Sequence, residues 1–206
     1  KLKALGAQTH EDLIGVAPRL RARDAAFEPL STAIEQGQTV SFSYSKPGDD
    51  GASIRRVEPL ALVFADGNWL LVSYDLDRSS ERMFLLSRIV SAPRPAGNAD
   101  ASRYPGVSAE QHAARALEDL AELAGRQRAR LEVRAGSDAE VRLRGDARAT
   151  SGPWLEVELG YTDLSLLADR LASFGPEVRV VSPPELRRLV ASRLASVVSA
   201  HAGASS

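Results

Sequence analysis

Between residues 38 and 92 the chain reverses again and again, and each run between turns has the two-residue period of a β-strand. In TVSFSYS, Val40, Phe42 and Tyr44 alternate with Ser41, Ser43 and Ser45, the pattern of a half-buried strand. SKPGDDG is a turn. IRRVEPLALVFA is a second strand, with Pro59 marking a bulge or an edge position. ADGN is a tight hairpin turn into the strand NWLLVSYD. DLDRSSE turns the chain again, RMFLLSRIV is a fourth strand, and Pro93 and Pro95 end the block. Upstream, AAFEPLSTAIEQG reads as a helix capped by Asp24 and ended at Gly37, with Phe27, Leu30 and Ile34 on one face. The economical architecture for residues 25–95 is a helix capping a small, strongly curved antiparallel sheet or barrel.

The flanking segments differ in character. Residues 1–24 read as a helix followed by a charged connector. Residues 96–107 are a linker by composition, and SAEQ then forms a capping box from Ser108 and Gln111. Ala113, Ala116, Leu117, Leu120 and Leu123 make the apolar stripe of a helix ending near Gly125. Beyond it, strands and helices alternate. ARLEVRA, WLEVELGY and EVRVV are strands, and AEVRLRGDA is a short helix or a strand, with helix preferred. One helix begins at Thr162 or Asp163 and closes at Gly175. A final helix follows SPPEL, with Ser182 as cap, Pro183 in its first position and Glu185 completing a capping box. This alternation predicts a ferredoxin-like α/β sandwich over residues 128–206, making the whole chain α+β.

The chemistry on offer narrows the function. No G-x-S-x-G elbow, P-loop, H-E-x-x-H or G-x-G-x-x-G occurs. His10, His112 and His201 are far apart, and the chain has no cysteine, so no metal set emerges from sequence spacing. Asp49-Asp50 and Asp75/Asp77 fall in turns, where aspartate is favoured for backbone reasons. The expectation is a non-enzyme with no cofactor and no membrane segment, working in the cytoplasm.

Net charge is −1, so no global field draws the protein to nucleic acid. The kind of cation is more telling, with 23 Arg against 3 Lys. High-GC codon usage accounts for part of that bias, but Arg also forms bidentate contacts to phosphate and stacks on bases. Residues 54–94 hold six Arg and five acidic residues, so an anion site there depends on placement. Arg55, Arg56, Arg78, Arg82 and Arg88 lie on or beside consecutive strands, with Tyr44, Trp69, Tyr74 and Phe84 as aromatic neighbours. That set describes either exposed strand arginines or an Arg-lined groove for phosphates and stacked bases. Alternation puts Trp69 and Tyr74 on opposite faces, so one of the two belongs to the core.

FEPLSTAIEQGQTVSFSYS, RRVEPLALV, GNWLLVSYDLDR and RMFLLSRIVSAPRP, in that order, resemble the WYL domain of bacterial transcriptional regulators. Its Trp-Tyr-Leu strand reads Trp69-Leu70-Leu71 here. GPEVRVVSPPELRRLVASRL resembles the C-terminal extension, WCX, that follows such domains. The DLDR turn and the LSRI ending look most like the PafB/PafC class of DNA-damage-response activators, nearest its PafB branch. The resemblance implies an Sm-like barrel over 25–95, a linker and helix over 96–127 and a ferredoxin-like extension over 128–206. Residues 1–24 correspond to the segment joining an N-terminal winged helix-turn-helix, which these 206 residues lack.

By that resemblance the chain senses a ligand, with single-stranded DNA as the expected signal, and relays it to a DNA-reading domain at a promoter. Ser43, Arg55, Arg56, Arg78, Arg82 and Arg88 stand where the family keeps its polar and basic pocket residues. Two positions depart from the pattern: Leu70 replaces the motif tyrosine, and Leu85 replaces an expected arginine. Loss of a phosphate contact predicts weaker binding and a shallower salt dependence. The alternatives are a sensor of a small anionic, nucleotide-type ligand, and a dimerisation module without ligand. A homodimer or a paired paralogue is expected, because such regulators read symmetric sites.

Overall fold

The computed structural model describes residues 25–47, 51–143, 146–149 and 152–203. The chain divides at Leu117/Glu118 into two compact units. Asp24, residues 1–24 generally and the Asp49-Asp50 pair lie outside the described residues.

The first unit opens with helix α1 (Phe27–Glu35), followed by strands β1 (Gln38–Tyr44), β2 (Ser53–Ala65), β3 (Asn68–Asp75), β4 (Ser80–Leu85) and β5 (Arg94–Asn98). They form one antiparallel sheet in the order β4-β3-β2-β1-β5. The β2–β3 turn has Asp66 at φ 51° and Gly67 at φ 77°, the two positive values a tight hairpin turn requires. The register between β2 and β3 shifts between Pro59 and Ala61. That bulge exchanges the faces of β2, so Val57 before it and Leu62 after it both turn toward α1.

Both faces of this sheet are covered in part. On one, Leu30 and Ala33 of α1 pack on Val40, Phe42, Val57, Leu71 and Phe84. On the other, Ala61, Val63, Val72 and the half-buried Leu70 meet Ala113 and Ala116 of helix α2 (Ala109–Arg126). Each fully buried leucine or valine contributes roughly 1.5–3 kcal/mol over an exposed one, so this packing sets the strand register. The Ser108/Gln111 box forms reciprocally: Ser108 N–H donates to Gln111 Oε1 at 2.8 Å, and Gln111 N–H to Ser108 Oγ at 3.3 Å.

Three expectations need correction. The sheet does not close into a barrel, since β4 and β5 are its two edges. A 3₁₀ turn, Leu86–Arg88, follows β4 and carries the chain across to β1, where Val90 N–H donates to Ser43 O and Ser45 N–H to Arg88 O. The two ends of the sheet are therefore joined by covalent chain rather than by a ladder. The block also does not end at Pro93 and Pro95. Pro95 sits inside β5, an edge strand, where the missing N–H costs no ladder bond on the open side. Finally, Ser182 does not cap the last helix. It is held opposite Arg130 in the second sheet, and Glu185 pairs with Arg188 at 3.2 Å instead.

The second unit contains β6 (Arg128–Arg134), α3 (Asp138–Arg142), β7 (Asp146–Ala149), β8 (Trp154–Gly160), α4 (Leu164–Ala172), β9 (Val178–Ser182) and α5 (Pro184–Gly203). Its strands pair antiparallel in the order β7-β8-β6-β9. Ala129, Leu131, Val133, Val157 and Val180 meet Leu167, Ala168 and Leu171 of α4 and Leu186 of α5. AEVRLRGDA thus divides, its first part finishing a short helix and its end a strand. Asp163 caps α4, its Oδ1 accepting from Ser165 and Leu166 N–H at 2.9 Å.

Candidate functional site

Strand alternation sorts the predicted residues. Arg55 on β2 lies opposite Phe42, Asp75 on β3 opposite Val57, and Arg82 on β4 opposite Ser73. All share the face that packs on α1, at its end beside the β3–β4 turn. Asp75 is fully buried, and its Oδ1 accepts from the backbone N–H of Asp77 at 3.0 Å and of Arg78 at 3.1 Å. Its Oδ2 is buried with no hydrogen bond among the described residues and faces Arg82 Nε at 3.9 Å. Arg55 Nε is likewise buried with no hydrogen-bond partner among the described residues.

An orphaned buried donor or acceptor costs about 1–3 kcal/mol, more for a charged group. A ligand that satisfies Arg55 Nε and draws on Arg82 recovers that cost. Arg78 lies on the exposed turn next to them. Arg56 is on the opposite face, bound to Asp77 Oδ1 at 2.8 Å, and this hydrogen bond holds the Asp77 carboxyl below its usual range. Four arginines and two aspartates therefore surround one end of the first sheet.

The remaining predicted residues go elsewhere. Ser43 is on the face of Arg56, opposite Ile54, with its N–H donating to Ser91 Oγ at 2.9 Å. Tyr44 is core: it is 3% exposed, it packs edge-on to Phe84, and its hydroxyl accepts from Leu85 N–H at 3.2 Å. Trp69 is half-buried against Phe27 of α1, with ring centroids 4.7 Å apart, and stands six residues, roughly 20 Å, along β3 from Asp75. Tyr74 is on the far face, beneath the Arg103 guanidinium at 3.9 Å. Arg88 is half-buried in the 3₁₀ turn. The geometry gathers Arg55, Arg56, Arg78 and Arg82 at one end of the sheet, while Tyr44, Trp69 and Tyr74 pack against Phe84, Phe27 and Arg103.

The two departures from the motif pair with each other. Leu70 and Leu85 are direct cross-strand partners, on the face opposite Arg55, Asp75 and Arg82. They substitute apolar packing in one place and leave the arginine end of the α1 face intact. Sequence reasoning missed Asp75, which looked like a turn aspartate, and missed Glu58 and Arg103. Glu58 is 4% exposed in mid-strand, and Arg103 Nε donates to its Oε2 at 2.8 Å. A lone glutamate in an apolar strand was the available signal.

A WYL domain model matches residues 25–93, and a WCX domain model matches residues 111–198. The chain is similar to Protein PafB of Mycobacterium tuberculosis, 33% identical over 184 residues that cover 85% of this chain and 53% of PafB. It is also 37% identical over 62 residues to the uncharacterized HTH-type transcriptional regulator YobV of Bacillus subtilis, covering 30% of this chain and 20% of YobV. The chain spans about half the length of the PafB relatives it matches. Among solved structures, proteasome accessory factor B/C (PafBC) of Arthrobacter aurescens superposes with a TM-score of 0.51 at 26% identity, over 82% of this chain and 26% of that one.

Proposed function

Because the chain is a PafB/PafC-like protein carrying a WYL and a WCX domain, we propose that it is the ligand-sensing region of a DNA-damage-response transcriptional regulator. Its ligand is single-stranded nucleic acid, held by Arg55 and Arg82 with Arg56 and Arg78 beside them. Phosphate oxygens supply what a buried guanidinium Nε lacks, and Arg presents the planar fork that takes them in pairs. Ligand occupancy is passed to a DNA-binding domain that reads the promoter. The observation that carries this reading is the buried Nε of Arg55, which has no hydrogen-bond partner among the described residues, beside the loosely held Arg82.

The first unit is an Sm-like fold left open between β4 and β5, a proposal supported by one helix followed by five strands in the order β4-β3-β2-β1-β5. The second is ferredoxin-like, supported by the order β-α-β-β-α-β with sheet order β7-β8-β6-β9. A cytoplasmic location follows from the regulatory role; no described helix is long and apolar enough to cross a membrane.

The test is fluorescence anisotropy of a labelled single-stranded 12-mer with the 206-residue chain at low salt, beside a thermal-shift panel of mononucleotides. Saturable oligonucleotide binding without a mononucleotide response is expected. Stabilisation by mononucleotides alone moves the assignment to a small anionic ligand, and silence in both arms removes ligand binding.

A second reading has its own observation. In the last turns of α5, Leu194, Val197 and Val198 are 36%, 55% and 69% exposed, on a helix whose Leu186 is fully buried. Self-association through this stripe predicts a dimer by light scattering that Val198→Glu dissociates; a monomeric wild type excludes it.

A further inference from the structure

Behind the row Val57–Asp75–Ser80 on the α1 face stands the row Glu58–Tyr74–Glu81 on the other. Each member of the second row is the chain neighbour of a member of the first, so neither row shifts without the other. One dipeptide grips the whole second row. Arg103 Nε donates to Glu58 Oε2 at 2.8 Å, and its guanidinium lies 3.9 Å from the centroid of the Tyr74 ring. Tyr104 neighbours Glu81, and burial together with that carboxylate pushes the Tyr104 hydroxyl up to about 12. Asp100 adds a backbone N–H to Glu58 Oε1 at 3.1 Å. Tyr104 then meets His112, in the first turns of α2, edge to face at 4.8 Å. Helix α2 continues past the boundary into the second unit.

We infer that Arg103 and Glu58 are positioning residues that latch residues 99–112 to the back of the Asp75/Arg82 site, so that ligand engagement on one face of β2–β4 is felt at the start of α2 on the other. The regulatory role rests on the ligand reading of Arg55 and Arg82; the latch itself does not. A buried glutamate is costly to keep charged unless paired and hydrogen-bonded, and Arg103 with the Asp100 amide meets that need. The β3–β4 turn, held by two amides on Asp75, is the part of the site that loosens when the row behind it is released.

Amide hydrogen exchange of the 206-residue chain tests this in two arms. Without ligand, Arg103→Ala raises exchange at the Asp77 and Arg78 amides by roughly tenfold or more, the equivalent of one charge-assisted hydrogen bond. Arg103→Lys, which keeps the charge but loses the planar fork, gives a smaller rise in the same amides. Arg115→Ala, on α2 but outside the gripped row, leaves them unchanged, as all three variants leave the amides of β6 and β8. Wild-type exchange at Asp77 and Arg78 in Arg103→Ala overturns the latch, whether or not any oligonucleotide binds.

In the second arm, a single-stranded 12-mer changes exchange over residues 99–112 in the wild type and not in Glu58→Gln. Binding that leaves 99–112 untouched in the wild type, or that still moves them in Glu58→Gln, overturns the coupling while leaving the ligand reading standing. Absence of binding overturns the ligand reading and the regulatory role with it, and the first arm still decides the latch.

Discussion

The two sheets of this protein carry arginines in similar numbers and hold them in different ways. In the second sheet, Arg128 faces Glu158 at 3.9 Å, Arg130 faces Glu156 at 3.9 Å and Arg179 faces Glu132 at 3.7 Å, with all three arginine side chains at least half exposed. Such pairs are worth about 0–1 kcal/mol each and ask nothing further of a ligand. In the first sheet, Arg55 has a buried Nε with no described partner, and Arg82 leans on a fully buried carboxylate without a hydrogen bond to it. Composition is blind to this difference. What separates a solvated arginine ladder from a binding site is whether the structure has already satisfied the guanidinium.

The largest effect that follows is on oligonucleotide affinity. Arg55→Ala combined with Arg82→Ala is expected to weaken binding by on the order of 100-fold or more, while Arg130→Ala combined with Arg179→Ala changes it less than about threefold. Anisotropy titrations of both double variants at one low salt concentration make the comparison. Equal losses would erase the distinction between the sheets.

A smaller effect lies in the salt dependence. Each phosphate contact on a single strand contributes about −0.7 to the slope of log K against log salt, so the first double variant flattens the slope by about 1.4. The second double variant keeps the wild-type slope. A slope unchanged by loss of Arg55 and Arg82 would assign the phosphates to other residues.

The smallest effect is on stability against pH, and it belongs to the first unit alone. Burial lowers the His112 pKa from its ordinary 6.5, with Glu81 opposing and Arg115 reinforcing the shift. The unfolded chain therefore takes up the proton first as pH falls. His112 contributes its full stability above about 6.5, and that contribution fades as pH drops toward the lowered value. Thermal melts should show a decline between pH 7 and 5 that His112→Phe reduces. An identical decline in that variant would place the titrating group elsewhere.

Much of the fold is legible because local rules and tertiary packing agree. The alternation of Val40, Phe42 and Tyr44, the Asp66-Gly67 turn, the bulge at Pro59, the Ser108/Gln111 box and the Asp163 cap all form as their residue types demand. Strand β5 escaped because Pro95 and Gly97 read as breakers, and only its place at the sheet edge makes them tolerable. The barrel escaped because closure depends on pairing between the first and last strands of a sheet, which no local pattern encodes. At the site, sequence identified the arginines but not their sorting. Neighbouring Arg55 and Arg56 lie on opposite faces, and Tyr44, Trp69 and Tyr74 are taken up by Phe84, Phe27 and Arg103. Asp75 was hidden because an aspartate at a turn and an aspartate under an arginine look the same in one dimension.

Whether Arg55 and Arg82 hold the ligand is read most directly from the arginine Nε–Hε resonances of the ¹⁵N-labelled chain, titrated with a single-stranded 12-mer at low salt. The Arg55 and Arg82 signals should shift and saturate together as the buried Nε–H of Arg55 gains an acceptor, while those of Arg128, Arg130 and Arg179 stay in place. Binding that moves the second set and leaves Arg55 and Arg82 still would contradict the account.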